Sequence, residues 1–200
     1  MTTMNAELIT AVAIGIGLAA SAGFRVFVPM LVAAIAAKTG ILPLNESFMW
    51  LSSWPSIAIL GTATIVEILA YYIPVVDNLL DTIATPLAVV AGTLLLTSVL
   101  PTDSELMKWI TGAAVGGGSA AVVQSGSALT RLTSTKLTAG VGNPVVATVE
   151  NVAAAGTSIL SLVIPFFILA IFLLLIILIL ISLRRRMRKK RENRVKETTS

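Results

Sequence analysis

Four polar residues lie inside or beside long apolar stretches of the chain and are the first candidates for chemistry: Arg25, Glu67, Asn143 and Glu150. A charged side chain in the hydrocarbon core of a bilayer is costly, and it is usually kept because it binds, pairs or conducts. Glu67 is the expected cation-binding or coupling carboxylate, with Arg25 as its counter-charge or as an anion anchor. A static ion pair between Arg25 and Glu67 is the structural alternative. We expect the four residues to form a site for substrate or ion binding.

The backbone near two of these residues is predicted to leave the helical conformation. Arg25 lies between a glycine and a proline within Leu8–Ala37, an apolar stretch longer than one bilayer crossing needs. Asn143 is also flanked by glycine and proline. Because proline cannot donate a helical hydrogen bond, we expect helix breaks near Gly23–Pro29 and Gly140–Pro144, where free backbone groups would contribute to binding. The predicted break residues are Gly23, Pro29, Gly142 and Pro144.

A secondary acidic site is indicated by Asp77 and Asp81, which are four residues apart and share one face of a helix. Apolar residues on the opposite face are typical of a helix at the membrane interface. Two carboxylates at this spacing could contribute to binding a hydrated Mg²⁺ or Ca²⁺, and a solvated helix face is the plainer interpretation. The spacing does not identify a metal.

Residue types that the chain lacks narrow its chemistry further. None of the 200 residues is Cys or His, which excludes disulfides, thiol nucleophiles, imidazole bases and the usual zinc, copper and haem ligands. The serines are not accompanied by a Gly-x-Ser-x-Gly turn, and the chain has no Walker A loop. We therefore expect no enzymatic activity and no bound cofactor.

The composition predicts a chain embedded in lipid. Apolar residues make up 56% and charged residues 12% of the sequence, and the mean hydropathy is +0.94. The predicted fold is all-α: a polytopic integral membrane helical bundle of about five to seven membrane segments, two of them broken or re-entrant. Residues 1–100 and 101–183 hint at an inverted repeat. The expected segments are the broken Leu8–Ala37, Ile57–Ile73, Leu87–Leu100, Ile110–Leu129, a broken or re-entrant stretch in 130–155, and Ile159–Leu183, with Pro74–Pro86 as a connection.

Two further patterns describe how these segments pack and where they end. Gly112–Ser127 is rich in Gly, Ala and Ser and includes Gly112-x-x-x-Gly116, which favours close approach of helix backbones in lipid. Tryptophan suits the headgroup level of a membrane, where an indole can be half wet. The three tryptophans are Trp50, Trp54 and Trp109.

Basic residues are concentrated at the C-terminal end. Residues 184–200 contain nine Lys or Arg against two Glu, and they directly follow an apolar stretch. The positive-inside rule therefore predicts a multi-pass protein of the cell membrane with a cytoplasmic C-terminus, whose basic run binds anionic lipid headgroups. We divide the chain into a transmembrane helical domain, 1–183, and a basic cytoplasmic tail, 184–200, predicted to be disordered.

Three further predictions concern nucleic acid, lipid phosphate and a second copy of the chain as partners. No aromatic platform accompanies the basic run, so we expect no nucleic acid partner. Arg131 and Lys136 bracket the polar stretch 130–138, where they either meet lipid phosphates or position a loop. The small-residue helix leaves a homo-oligomer open as an alternative.

Several short stretches, in their order along the chain, resemble a bacterial membrane family catalogued as domain of unknown function 4126. In that family Glu150 is usually followed by a second acid, whereas Asn151 stands here. The resemblance covers most of residues 8–165, and it implies a small multi-spanning protein without assigning an activity. The matching pieces are Gly23–Pro29, Trp50–Pro55, Glu67, Ile73–Asp81, Thr85–Pro86 and Gly142–Glu150.

Intramembrane charge beside predicted helix breaks favours a transporter or channel for a small solute or ion. The alternative is a lipid-binding or membrane assembly protein without transport, in which the small-residue helix packs on a partner and the tail holds anionic lipid. These two functions predict different consequences of removing the basic tail, because a transporter core should keep its activity without it.

Overall fold

The computed structural model describes residues 2–174, 176–178, 181 and 184, and among them it contains helices and no strand. Residues 2–169 form one compact unit, and the described residues from Ala170 to Arg184 belong to a second. An all-helical fold is confirmed. The helices are α1 Thr2–Ser21, α2 Phe27–Lys38, α3 Trp54–Ala70, α4 Pro74–Val99, α5 Glu105–Thr111, α6 Gly118–Thr138 and α7 Asn143–Val163, with a 3₁₀ helix at Glu46–Ser52, a π-helical turn at Gly112–Gly117 and a further helix at Pro165–Leu178.

Three of the described helical stretches are long and apolar enough to cross a membrane: Thr82–Val99, Glu105–Thr138 and Asn143–Val163. A fourth crossing results if the 3₁₀ helix and α3, which meet at 64°, form one bent span. Eighteen helical residues extend about 27 Å, close to the hydrocarbon thickness of a bilayer. The prediction of a membrane helical bundle is confirmed. Among the described residues, these three or four crossings are fewer than the five to seven segments predicted. The larger number is reached only if the shorter apolar helices are counted as well, which are Ala6–Ser21, Phe27–Lys38 and Pro165–Leu178.

The first predicted helix break is confirmed, and it lies just before the proline. Helix α1 ends at Ser21 and α2 begins at Phe27. Pro29 is in the first turn of α2, where a missing N–H costs no helical hydrogen bond. Gly23 serves close packing, since a Cβ there would lie 2.5 Å from the carbonyl oxygen of Ala120 on α6. The break thus results from a tight turn pressed against another helix.

The second predicted break is also confirmed, and it separates two full helices, so the stretch 130–155 is broken and not re-entrant. Ala139 and Gly140 adopt left-handed conformations, with φ of 52° and 88°, and end α6. Gly142 is the N-cap residue of α7, and Pro144 lies in its first turn. The polar residues 130–138 are helical, and hydroxyl groups there bond within α6 and the turn that follows. Thr138 Oγ1 donates to the carbonyl oxygen of Ser134 and accepts from the N–H of Gly142.

Two other expected boundaries are corrected by proline positions. Helix α7 ends at Val163, and Ile164, which precedes a proline, has a φ of −134°, so Ile159–Leu183 is not one helix. Conversely, Pro74–Pro86 is not a connection, because α4 begins at Pro74 and continues through Pro86 to Val99. The inverted repeat stays a prediction.

The small-residue packing predicted for Gly112–Ser127 is confirmed. The π-helical turn lies against α4, where a Cβ on Gly92 would come within 2.6 Å of the carbonyl oxygen of Gly116. The buried core around this contact is built mostly from alanine and leucine, including Leu18, Leu95 and Ala120. The helices therefore approach closely, with α4 packed against α1, α6 and the π-helical turn.

Candidate functional site

Arg25 lies in the turn between α1 and α2 and points into the bundle, with only 2% of its surface exposed. Its Nε donates to Asn151 Oδ1 at 2.6 Å, and its Nη2 donates to the carbonyl oxygen of Ala147 at 3.2 Å. Its Nη1 lies 3.0 Å from Glu150 Oε2. The guanidinium is therefore anchored almost entirely on α7.

The position of this turn is fixed by a hydroxyl contact one turn earlier. Ser21 Oγ donates to the carbonyl oxygen of Gly17 at 2.7 Å and lies 2.8 Å from the hydroxyl of Thr157 on α7. The end of α1 is thereby held beside α7, which brings Arg25 to the level of Glu150.

Glu150 is the centre of the cluster and binds a second arginine. Arg131, on α6, directs its Nε to both carboxylate oxygens, at 3.2 Å and 3.1 Å, and its Nη2 pairs with Oε2. Ser127, one turn earlier on α6, donates to the same carboxylate. Arg131 is 3% exposed and Glu150 5% exposed. The carboxylate is thus shared by two buried guanidinium groups.

Tyr71 contributes an aromatic ring to both arginines. The guanidinium carbon of Arg25 lies 3.8 Å from the ring centroid, and that of Arg131 lies 4.3 Å from it. A ring at this distance attracts a cation through its quadrupole, and more strongly where water is excluded. The end of α3 therefore holds both cations in place without adding a charge.

Glu67 is the second buried carboxylate, and its partners are backbone groups. Its Oε1 accepts from the N–H of Val26 at 2.8 Å, and its Oε2 accepts from the N–H of Phe27 at 3.0 Å. These amides are among the unpaired donors at the start of α2, where a negative charge is favoured. No Lys or Arg of the described chain forms an ion pair with Glu67. The alternative of an Arg25–Glu67 ion pair is therefore wrong, because Arg25 donates to α7 instead.

Asn143 lies apart from the charged cluster. It is the first residue of α7 and exchanges hydrogen bonds with the hydroxyl of Thr135 on α6, at 3.2 Å and 3.3 Å. Seven residues, about 10 Å of helix, separate it from Glu150 on the same buried face of α7. The structure thus brings together three of the four predicted residues, with Asn143 two turns away.

The remaining charged residues of the sequence prediction have different positions. Asp77 and Asp81 are in α4, and their side chains lie outside the part of the chain that is described. Arg131 does not meet lipid phosphate or position a loop, since it is buried in α6 against Glu150. Lys136 is exposed on α6. Across the described residues, no group of three or more acidic side chains could hold a metal ion, and the basic run beyond Arg184 is not described.

An apolar cleft of about 570 Å³ adjoins the cluster between α3 and α4. Glu67 and Tyr71 lie on its inner wall, next to the start of α2. Most of its other lining residues are aliphatic, and several of them, such as Ile59 and Ile83, are also exposed on the outer apolar surface. The cleft therefore leads from the lipid-facing side of the bundle to a buried carboxylate.

Sequence reasoning missed four members of the site, which are Ser127, Arg131, Tyr71 and Asn151. The spacing of Ser127 and Arg131, four residues apart, would have placed them on one face of a helix if 130–138 had been predicted helical. Tyr71 is likewise four residues after Glu67. The available signal was helical spacing beside a charged residue.

Comparison with known proteins gives a family and no activity. No curated protein and no solved structure matches the chain. A family model described as "Domain of unknown function (DUF4126)" matches residues 12–185, which includes every described residue of the charged cluster. The predicted resemblance is confirmed, and the chain belongs to the family of domain of unknown function DUF4126.

Proposed function

We propose that the protein is a transporter or channel for a small solute or ion, with Glu67 as its coupling carboxylate. The observation that supports this is a buried carboxylate without an ion-pair partner among the described residues, placed between a helix break and a cleft. Charges within a membrane bundle are expensive to bury and mark solute pathways or proton relays in many membrane proteins. A broken helix beside such a charge is the arrangement that secondary transporters use.

The two buried carboxylates differ in how readily a proton or a cation can neutralise their charge. Glu150 is held by Arg25, Arg131 and Ser127, so that neutralising it would leave two guanidinium groups without their shared counter-charge. Glu67 is held by two backbone amides only, and it reaches the cleft. We assign the static role to Glu150 and the exchangeable role to Glu67. Binding of a proton or cation at Glu67 would weaken its hold on the start of α2 and so couple occupancy to the turn at Arg25.

The test is proton or cation flux into sealed proteoliposomes that contain the purified protein. Glu67→Gln removes the charge at nearly constant volume, and Glu46→Gln makes the same change at an exposed carboxylate of the 3₁₀ helix. Gradient-driven flux should be kept by the Glu46 variant and lost in the Glu67 variant. Equal flux in both variants, in a preparation where the unmodified protein is active, would rule out the coupling role.

The alternative of a scaffold receives less support from the packing. The helix turn Gly112–Gly117, which an assembly partner would need, is already occupied by α4 of the same chain. The basic sequence of residues 184–200 favours binding to anionic lipid headgroups under either function, and homo-oligomers are compatible with both.

We also propose a cell-membrane location with the C-terminus in the cytoplasm, on the basis of the basic run that follows the last apolar stretch. Because the chain has no cysteine, Ser200→Cys would carry the only thiol. An impermeant maleimide added to intact cells should leave that thiol unlabelled, and it should label the thiol after the membrane is opened. Labelling in intact cells would reverse the orientation.

A further inference from the structure

Among the described residues that line the cleft between α3 and α4, one is charged, and it is Glu67. A carboxylate offers about four acceptor positions, and the amides of Val26 and Phe27 occupy one on each oxygen. Glu67 is 8% exposed, and it lines the cleft. Acceptor capacity is therefore left over on a carboxylate that lines the cleft.

The rest of the lining selects the kind of cation. Ca²⁺ and Mg²⁺ need about six or more oxygen ligands or retained waters. The described lining offers instead mostly aliphatic side chains, with Thr62 and Tyr71 as its other polar residues, and the Thr62 hydroxyl already donates to the carbonyl oxygen of Ala58 at 2.9 Å. Such a surface cannot replace the hydration shell of a small inorganic ion. It can cover the apolar body of an organic cation, and its volume of about 570 Å³ is in the usual range for sites of drug-sized ligands.

The charge balance of the neighbouring cluster supports a cation and not an anion. Arg25 and Arg131 share Glu150, and Arg25 directs its donors to α7. Neither guanidinium lines the cleft, so an anionic ligand would meet the Glu67 carboxylate without a facing positive charge. In a desolvated contact, a ligand whose charge is opposite to that of Glu67 is favoured over one of like charge.

We propose that this cleft binds a lipophilic organic monocation, such as an amine or phosphonium with an apolar body, whose charge rests against Glu67. The ligand enters from the lipid-facing side, past exposed residues such as Ile59 and Ile83. The inference deepens the proposed function by naming the substrate class, and its transport step rests on that function. Binding itself does not depend on transport.

Binding is tested with two probes of nearly the same shape and opposite charge, tetraphenylphosphonium and tetraphenylborate. Each is titrated into the purified full-length protein in detergent, with empty micelles as the blank. The phosphonium should bind at one site per chain above the micelle background, and the borate should not. Equal binding of the two probes would show that the cleft takes any lipophile, such as a lipid chain, and would overturn the proposal.

Two variants and one control locate the site. Glu67→Gln should lower phosphonium affinity by at least about tenfold, because a desolvated charge pair is lost. Ile83→Trp, at an exposed lining position, reduces the space in the cleft while leaving Glu67 unchanged, and it should also lower affinity. Leu129→Trp, at an exposed position of α6 outside the cleft, should bind as the unmodified protein does. Unchanged affinity in both Glu67→Gln and Ile83→Trp refutes the site.

Flux measurements separate this inference from the proposed function. Phosphonium binding with no uptake into proteoliposomes supports the site and contradicts transport. Gradient-driven flux in a protein that does not bind the phosphonium contradicts the site and leaves transport supported. The Ile83→Trp variant keeps the proposal falsifiable even if the Glu67 variant does not fold.

Discussion

Replacing Glu150 with glutamine perturbs the charged cluster at its centre. The carboxylate of Glu150 is the counter-charge of both Arg25 and Arg131, and it accepts from Ser127 as well. Glutamine keeps the volume and one acceptor oxygen, but its amide nitrogen would face guanidinium donors. The variant Glu150→Gln therefore removes the counter-charge that two buried guanidinium groups share, while the ring of Tyr71 still contacts both.

The expected cost of this substitution follows from the two arginines that share the carboxylate. Removing one partner of a buried ion pair destabilises proteins by about 3–5 kcal/mol, because the other charge stays buried and uncompensated. Glu150 serves two arginines, which places its loss in the upper part of that range. Arg131→Gln keeps the pair between Arg25 and Glu150, so its cost should be nearer about 2 kcal/mol, the value of a hydrogen bond to a charged group.

The assay is reversible unfolding of the purified protein in mixed micelles, with Glu46→Gln as a control for the same chemical change at an exposed position. The predicted order of destabilisation is Glu150→Gln, then Arg131→Gln, then Glu46→Gln near zero. A Glu150 variant within about 1 kcal/mol of the unmodified protein, or more stable than the Arg131 variant, would refute the ion-pair reasoning.

Three further changes test neighbouring contacts. Adding Asn151→Asp to Glu150→Gln should recover about 1–2 kcal/mol of unfolding free energy, since a carboxylate would replace the amide oxygen that lies 2.6 Å from the arginine Nε; no recovery would contradict this contact. Tyr71→Leu should lower the free energy of unfolding by about 1–3 kcal/mol, because both guanidinium groups lose the aromatic ring. Tyr71→Phe is the control because it keeps the ring, and equal unfolding free energies in the two variants would contradict the aromatic contact. Gly92→Ala should destabilise the bundle by about 1–3 kcal/mol, because the added Cβ would lie 2.6 Å from the carbonyl oxygen of Gly116. Gly126→Ala is the control, since open space surrounds that glycine, and it should not destabilise the protein. The same unfolding measurement compares the two variants, and an unchanged stability of the Gly92 variant would contradict the close contact.

The parts of this fold that local sequence determines were predictable. A stretch of apolar residues too long for one crossing, with Gly23 and Pro29 around a charge, predicted the break between α1 and α2. The mixed stretch 130–155 misled because its Thr, Ser and Gly residues lower local hydropathy without preventing a helix. Hydropathy reports what faces lipid on average, and it does not report which polar residues a helix buries against its neighbours.

The partners within the site could not be predicted from local sequence. Arg25 and Glu67 were expected to pair because both are charged and lie in apolar stretches. The turn directs the arginine to Glu150 and Asn151 on α7, and it leaves the amides of Val26 and Phe27 to Glu67. That choice depends on how α1, α3 and α7 pack, which sequence spacing does not specify.

The central claim is that the charged cluster lies within the hydrocarbon core of the membrane, and the most direct test is the depth of a spin label beside it. Val152 follows Asn151 on α7 and is 69% exposed, and Val141 lies in the turn before α7 and is 82% exposed. In a chain without native cysteine, each valine can be replaced by a labelled cysteine and compared by collision with oxygen and with a water-soluble nickel chelate. The label at 152 should favour oxygen strongly, and the label at 141 should favour the chelate. Equal access of the chelate to both labels would place the cluster at the water interface and contradict the account.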